Sequence, residues 1–496
     1  MAAVDSSSSV NQHAAVTPQN RNFYLRLAQT AFCVGVPVVI WLSPLAIPAN
    51  TKAALAISAF MILAWMTEVM EYASAGLVGL LLFWFFKIAK PDVIFEGFVD
   101  AASWYYIGAV LIGTMATKTG LPQRIAAFVV ERVGVTYSRL LLGLIIIDFL
   151  LTFIVPSGVA RMVIMAPICI GVINLFGMER GSNIGRGIFL VITYATAIFD
   201  KMIIAGTGAI TARGIIERLG GVDVTYSFWL LAFIPCSLLT IFFGWRLTIW
   251  LFPPEIETLE GRREEVRNHF RTTTKWTPTA TKATILIGLA LALWLTDWLH
   301  GISAAMVAFG IGLMALLPFV DVLDAEDFRK ANMLPFFFVA AALGMSEVLR
   351  ETGGLALLTD NILGGMEPFI ESKVLAVPVL YWTAFVYHFF TASEISMLAT
   401  SLPVLMEFSK SHSLDPLWIG LVWSFAAGGK LFAYQSAPLV VGDMVVTGIA
   451  GGDSPLLGFI VAVKAATGEV VSAEDLGGAV IPEVGEGGSD GRGGVS

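Results

Sequence analysis

Pro156-Ser157-Gly158-Val159-Ala160-Arg161 interrupts an apolar run from Leu140 to Met178, and Thr391-Ala392-Ser393-Glu394-Ile395-Ser396 interrupts another from Val374 to Phe408. Ser157 precedes Pro167 by ten residues, and Ser393 precedes Pro403 by the same interval. Backbone groups released from a helix inside hydrocarbon find no water, so such a break is tolerated only where it lines a cavity or is buried in protein. Two breaks at matching positions in the two halves of a chain predict internal repeats that meet at a shared site.

The surrounding composition supplies the membrane. The 496 residues are 56% hydrophobic and 14% charged, with a mean hydropathy of +0.79, whereas ordinary soluble domains carry about 25% charged residues. Apolar residues fall in blocks. Leu27–Leu45, Ala53–Met66, Ala75–Ile88 and Tyr226–Phe252 reach or approach the ~20 residues a helix needs to cross hydrocarbon. Roughly ten or eleven embedded segments are expected on that measure. The expected fold class is therefore an all-α polytopic membrane protein, a secondary transporter of two repeats with two re-entrant hairpins and broken helices. The bilayer is its first partner, and which membrane it occupies is open.

Several classes are excluded. The net charge is −8 and no basic stripe is present, so no nucleic-acid partner is expected. Cys33, Cys169 and Cys236 all fall in apolar segments, which predicts inert buried thiols rather than disulfides or a metal site. No metal and no cofactor are expected. The embedded helices carry no His-x-x-x-His, no Gly-x-Ser-x-Gly and no protease-type Asp pair, which argues against a membrane enzyme.

The chain divides into a polar tail (1–22), a first membrane repeat (23–252), a cytoplasmic amphipathic linker (253–281), a second membrane repeat (282–464) and a Gly-rich polar tail (465–496). Both tails are expected to be disordered. The first carries a Ser6–Ser9 run and no apolar core, so it is no secretory signal, and a cytosolic tail is a better reading than a transit peptide. The linker interleaves acidic residues with Arg262, Arg263, Arg267 and Arg271, and these basic residues place it in the cytoplasm. Glu255 to Phe270 is expected to form a surface helix with Glu–Arg pairs three or four residues apart.

The two halves look like weak copies. Ser103–Leu121 (SWYYIGAVLIGTMATKTGL) precedes the first break, and Met333–Leu355 (MLPFFFVAAALGMSEVLRETGGL) precedes the second; each ends in charge and a Thr-Gly pair. These Gly-spaced runs are expected to be the re-entrant hairpins. The competing reading is an ordinary packed helix whose glycines allow close approach. A third matching pair follows the breaks, Ala205-Gly206-Thr207-Gly208 and Gln435-Ser436-Ala437-Pro438; each could present backbone amides to an anion. A simple kink at Pro438 is the alternative.

These elements together resemble the divalent anion/sodium symporter family, within the wider ion transporter superfamily. The resemblance runs through Trp65-Met66-Thr67-Glu68, Arg124, Pro156-Ser157 with Ala160-Arg161 and Pro167, Ala205–Gly208, Trp229 with Pro235, Thr391–Ser393 with Pro403, and Ser436–Pro438. It implies scaffold and transport domains in an inverted repeat, a homodimer, and an elevator motion carrying carboxylates or small inorganic dianions. Sodium-coupled members share a Ser-Asn-Thr signature at both breaks. Here Ser157 is followed by Gly158-Val159 and Ser393 by Glu394-Ile395, so the oxygen ligands a hard cation needs are missing. The Pro-Ser-x-x-Ala-Arg form is closer to the family's carboxylate exchangers. After Gly452 only Pro455–Val463 is apolar where members end in a full span, a departure that reads as a short last helix or a truncation.

The charges inside the apolar runs are functional candidates, because each is costly in hydrocarbon. Arg161 lies four residues past Ser157 and could engage a carboxylate bidentately; its structural alternative is an ion pair with Asp148. Glu394 occupies the other tip, where it could be neutral, pair with Lys430 or Arg161, or bind a coupling proton. His388 is read as packing. Asp200-Lys201 and Glu347 are read as internally compensated or near an interface, Glu68 and Glu71 as caps or anchors of scaffold helices. The expected activity is secondary transport of di- or tricarboxylates by exchange, with substrate bound by Ser157, Gly158, Arg161, Thr207, Gly208, Ser393, Glu394 and Ser436. The rivals are an inorganic oxyanion permease (sulfate, phosphate, arsenite), a cation/proton antiporter of the same superfamily, and a non-transporting remnant.

Overall fold

A computed structural model describes residues 18–155, 157–178, 182–258, 276–362, 369, 373–391 and 394–429, and their side chains except at 18–25, 159, 360–362 and 373–374. Among these residues the chain is helical throughout, apart from one isolated bridge between Thr136 and Thr258. Ser393, Lys430, Ser436, the third break of the second half, the C-terminal run and most of both tails lie outside the described residues.

The first half comprises α1 (Pro18–Leu42), α2 (Ala49–Thr67), α3 (Tyr72–Phe85), the short α4 (Pro91–Ile94), α5 (Ala101–Lys118), α6 (Leu121–Val133), α7 (Tyr137–Thr152), α8 (Gly158–Leu175), α9 (Asn183–Met202) and α10 (Thr207–Ile215). One π turn (Ile216–Gly220) extends α10, and α11 (Tyr226–Leu251) leads to the linker. The second half runs α12 (Pro278–Leu295), α13 (Asp297–His300), α14 (Ala304–Met314), α15 (Ala325–Lys330), α16 (Leu334–Glu351), α17 (Gly354–Ile362), α18 (Lys373–His388), α19 (Glu394–Ser411) and α20 (Pro416–Ala427).

The repeat is visible in the element order. The helices α5 and α16 are both 18 residues long. Each ends on a Thr cap followed by a left-handed glycine, Gly120 at φ 68° and Gly353 at φ 73°. Then α7 and α18 are both 16 residues long, and α8 and α19 are both 18 residues long with a proline in tenth position, Pro167 and Pro403. The packing repeats as well: α9 covers both α7 and α8, and α20 covers both α18 and α19.

The halves interlock through α5, which packs on α14, and α3, which packs on α16. Glycine permits that approach. A Cβ on Gly108 would collide with the backbone of Ala308, and one on Gly312 would lie 3.2 Å from the backbone of Gly108 at the same crossing. On α16, a Cβ on Gly344 would collide with the Ile94 carbonyl. These contacts correct the expected position of the hairpins. Ser103–Leu121 and Met333–Leu355 hold single continuous helices, and their glycines serve helix–helix contact, the small-residue packing of embedded bundles. The helical hairpins are instead α7–α8 and α18–α19, turning at the two breaks.

The outer surface is apolar. Among the described residues, four stretches are long and apolar enough to cross a membrane: the helices 49–67, 226–251 and 278–295, and 183–220, which takes in α9, the break after it and α10. Leu231, Phe243 and Trp250 of α11 are 61–75% exposed, which water would penalise and lipid tails would not. The molecule is an integral, multi-pass, all-α membrane protein.

Three smaller expectations are corrected. Helix α1 begins at Pro18, inside the expected tail. Of the helix expected over Glu255–Phe270, residues 259–270 lie outside the described residues and 255–258 are not helical: Glu255 accepts from the backbone amides of Asn183 (2.5 Å) and Ile184 (3.2 Å), capping α9. Cys236 is exposed on α11, while Cys33 and Cys169 are buried. Glu68 and Glu71 do terminate helices: Glu68 is the left-handed C-cap of α2, and Glu71 caps α3 by accepting from the Ser74 amide at 2.9 Å.

Candidate functional site

Three breaks come together at the C-terminal end of α9. The first break ends α7 ahead of Pro156, which drives the preceding residue out of the helical region. Helix α7 has already ended at Thr152, Val155 stays non-helical, and Ser157 (φ −106°, ψ 119°) N-caps α8, its hydroxyl accepting from the Ala160 amide at 3.3 Å. Ser157 is exposed and Gly158 buried. The break after α9 runs through extended Ile203 (φ −127°, ψ 155°), where two β-branched residues precede Ala205-Gly206, and α10 restarts from Gly206 with no side-chain cap. The second hairpin turns after His388 and restarts at Glu394.

Freed carbonyls at these breaks need donors. The Trp229 indole donates to the Lys201 carbonyl at 2.8 Å, and the Tyr105 hydroxyl donates to the carbonyl of Ile204. At the first tip the donor is Arg161. Its Nη1 donates to the Val155 carbonyl at 3.1 Å and its Nη2 to the Thr196 carbonyl at 2.9 Å.

Arg161 also holds two carboxylates, Asp148 (3.2 Å from Nε) and Asp200 (2.7 Å from Nη2). Asp148 accepts from the Thr196 hydroxyl as well, at 3.1 Å. The guanidinium is 1% exposed, and Asp148 is fully buried. Arg161 is therefore turned into the protein, in the ion pair with Asp148 that was its structural alternative, with four hydrogen bonds directed at internal acceptors.

The neighbour of Asp200 does the complementary thing. Lys201 forms a buried ion pair with Glu394, the first residue of α19. Glu394 thus pairs with neither of the expected partners within the described residues; Arg161 is engaged elsewhere, and Lys430 is outside them. Gly208, second residue of α10, faces this pair: a Cβ there would collide with the Glu394 carboxylate and lie 3.2 Å from the Lys201 ammonium. The Asp200-Lys201 dipeptide consequently ties the first hairpin through Arg161 and the second through Glu394. Thr207 stands at the same N-terminus, half-buried.

Glu347 is compensated too, by Arg218 at 3.3 Å and by Arg350. Arg218, on the π turn, further pairs with Glu96 and with Asp100 at 3.3 Å. The sequence reading missed the pairing of Lys201 with Glu394 and the roles of Tyr105 and Trp229. One signal was available for the first, an acid–base dipeptide ending an apolar helix just ahead of Ala205-Gly206.

Two hairpins and a broken helix, tied by one buried chain of charges, are the build of a membrane transporter whose site lies between repeats; the protein is a transporter and not an enzyme. The chain belongs to the sodium:sulfate symporter family, whose transmembrane region matches residues 25–466. It is similar to a membrane protein of Cupriavidus necator, 28% identical over 396 residues that cover 74% of this chain and 75% of the relative. A sodium-dependent dicarboxylate transporter of Staphylococcus saprophyticus is 24% identical over 394 residues, 75% of this chain and 76% of its own. A citrate/succinate antiporter of Escherichia coli K12 is 26% identical over 363 residues, covering 70% and 72%.

Proposed function

We propose that this protein is a secondary active transporter of small di- or tricarboxylates, working by exchange. The observation that carries the reading is the convergence of three helix breaks on the Asp200-Lys201 dipeptide. Such a junction gathers the N-termini of α8, α10 and α19, each with unsatisfied amides and a partial positive charge of about half a unit. Ser157, Gly158, Thr207 and Gly208 contribute at two of these termini, Ser393 and Ser436 at the counterparts in the second half. Arg161 takes a positioning role, since its donors hold the first tip together. The printed names of the dicarboxylate and citrate/succinate relatives support a carboxylate substrate.

Exchange without sodium rests on the two tips, where Gly158-Val159 and Glu394-Ile395 stand in place of Asn-Thr. The repeats would be inverted. If α2, α3, α5, α9–α10 and α11 each cross the bilayer and hairpin α7–α8 returns, five crossings separate α2 from its counterpart α12, an odd number. An elevator motion, in which the hairpins and broken helices slide against a scaffold of the remaining helices in a homodimer, completes the proposal.

The test is uptake of labelled succinate into proteoliposomes preloaded with succinate, citrate or sulfate, with choline replacing sodium. Uptake is expected against internal succinate or citrate and not into empty vesicles. A saturable sodium requirement would remove exchange without sodium. Transport of sulfate alone would move the protein to the inorganic-anion reading that its family name suggests.

A further inference from the structure

We propose that Glu394 is a tethered stand-in for a substrate carboxylate, and that Lys201 is the cation the substrate takes over when Glu394 is protonated and released. The proposal rests on the carboxylate reading above and assigns a cation to that site. Three observations carry it. The Glu394 carboxylate sits on the Lys201 ammonium, with both side chains under a tenth exposed. It does so against Gly208 at the start of α10, where the absence of a side chain leaves room for a carboxylate. Glu394 is also the first residue of α19, so its carboxylate stands at the helix start that follows the second break, beside the N-terminus of α10.

Charge balance then requires the proton. With all groups ionised, Asp148, Arg161, Asp200, Lys201 and Glu394 sum to −1 +1 −1 +1 −1 = −1. A dianion entering that cluster is repelled. Arg161 cannot compensate, because two carboxylates already share it. If the substrate replaces Glu394 on Lys201, the displaced carboxylate loses that cation at a buried position, a costly change that one proton from the medium relieves. Each dianion would thus enter with one proton, and its departure would return Glu394 to Lys201.

Among the described residues, the charged groups on elements packed against α19 are engaged elsewhere or lie away from Glu394. Arg213 pairs with Glu217, Arg218 with Glu96, Asp100 and Glu347, Arg350 with Glu347, and the Lys52 ammonium donates to the Ser43 carbonyl. Glu351 is exposed at the end of α16, and Glu407 and Lys410 lie toward the far end of α19 itself. The buried His388, last residue of α18, and Tyr387, whose hydroxyl meets that of Thr400 on α19 at 2.8 Å, are the other titratable groups described at this hairpin turn.

The test is succinate binding to the purified full chain, read by thermal stabilisation and by proton uptake in weakly buffered detergent. The wild type is expected to take up close to one proton per succinate and to bind more weakly as pH rises. Glu394→Gln keeps Lys201 without its competitor; it is expected to take up none and to bind about tenfold tighter near neutral pH, since the competent state no longer has to be populated first. Lys201→Met is expected to lose succinate stabilisation. Succinate binding without proton uptake in the wild type overturns the proposal and leaves carboxylate transport standing; this outcome does not depend on how the variants fold. Unchanged affinity and unchanged proton uptake in Glu394→Gln overturn it as well. Absence of stabilisation by any dicarboxylate overturns both.

Discussion

The two hairpins share a backbone and carry opposite charges. After the first turn the buried charge is a cation, Arg161, held by the acids Asp148 and Asp200. After the second it is an anion, Glu394, held by the base Lys201. Consecutive residues of α9 supply both answers. The difference teaches which tip can yield. Arg161 spends its donors on two carboxylates and two carbonyls, so releasing it would strand four acceptors. Glu394 is held through its pair with Lys201, which a proton on the carboxylate weakens.

That contrast orders the expected effects of substitution. Arg161→Ala leaves Asp148 and Asp200 buried without their cation, and breaking such an arrangement costs about 3–5 kcal/mol. A large fall in the thermal unfolding temperature in detergent is expected, together with loss of transport. If Arg161→Ala folded as well as wild type and failed only in binding, the arginine would be a substrate ligand and the contrast would collapse. Trp229→Phe removes the donor to the Lys201 carbonyl while keeping an aromatic ring stacked on Phe233. A carbonyl left unsatisfied in a buried break costs about 1–3 kcal/mol. The same unfolding assay should show an intermediate loss, and no loss would mean that the carbonyl finds another donor. Lys118→Ala removes the pairs to Asp324 and Asp327 in a region where Lys118 is 36% exposed. Exposed pairs contribute at most about 1 kcal/mol, so the unfolding temperature should stay close to wild type.

Much of this is legible in the amino-acid sequence. Pro156, Ser157 and Gly206 announce breaks because each disfavours continuing a helix, and the ten-residue interval to Pro167 and Pro403 marked the repeat. The hairpins were misplaced because Gly-spaced apolar residues ending in Thr-Gly have two physical meanings, a turn in the chain or a close crossing of two helices. Gly108 settles it, since its missing side chain faces the Ala308 backbone of a different helix, a contact with no local signature. The partner of Glu394 was illegible for the same reason: Lys201 is distant in sequence, and only the fold brings α9 and α19 together. Arg161 was over-read, because a basic residue beside a break suits an anion site and a carbonyl-rich turn equally well.

The central claim is that the broken helices enclose one carboxylate site. Its most direct test places a single cysteine at Ser157, the exposed residue of the first tip, in a chain whose Cys33, Cys169 and Cys236 are replaced by serine or alanine. The rate of alkylation by a small water-soluble thiol reagent is then followed in membranes. Succinate and citrate are expected to slow labelling in a saturable way, while sulfate at matched ionic strength does not. A labelling rate indifferent to carboxylates, in a protein that still transports them, would place the substrate elsewhere and contradict the account.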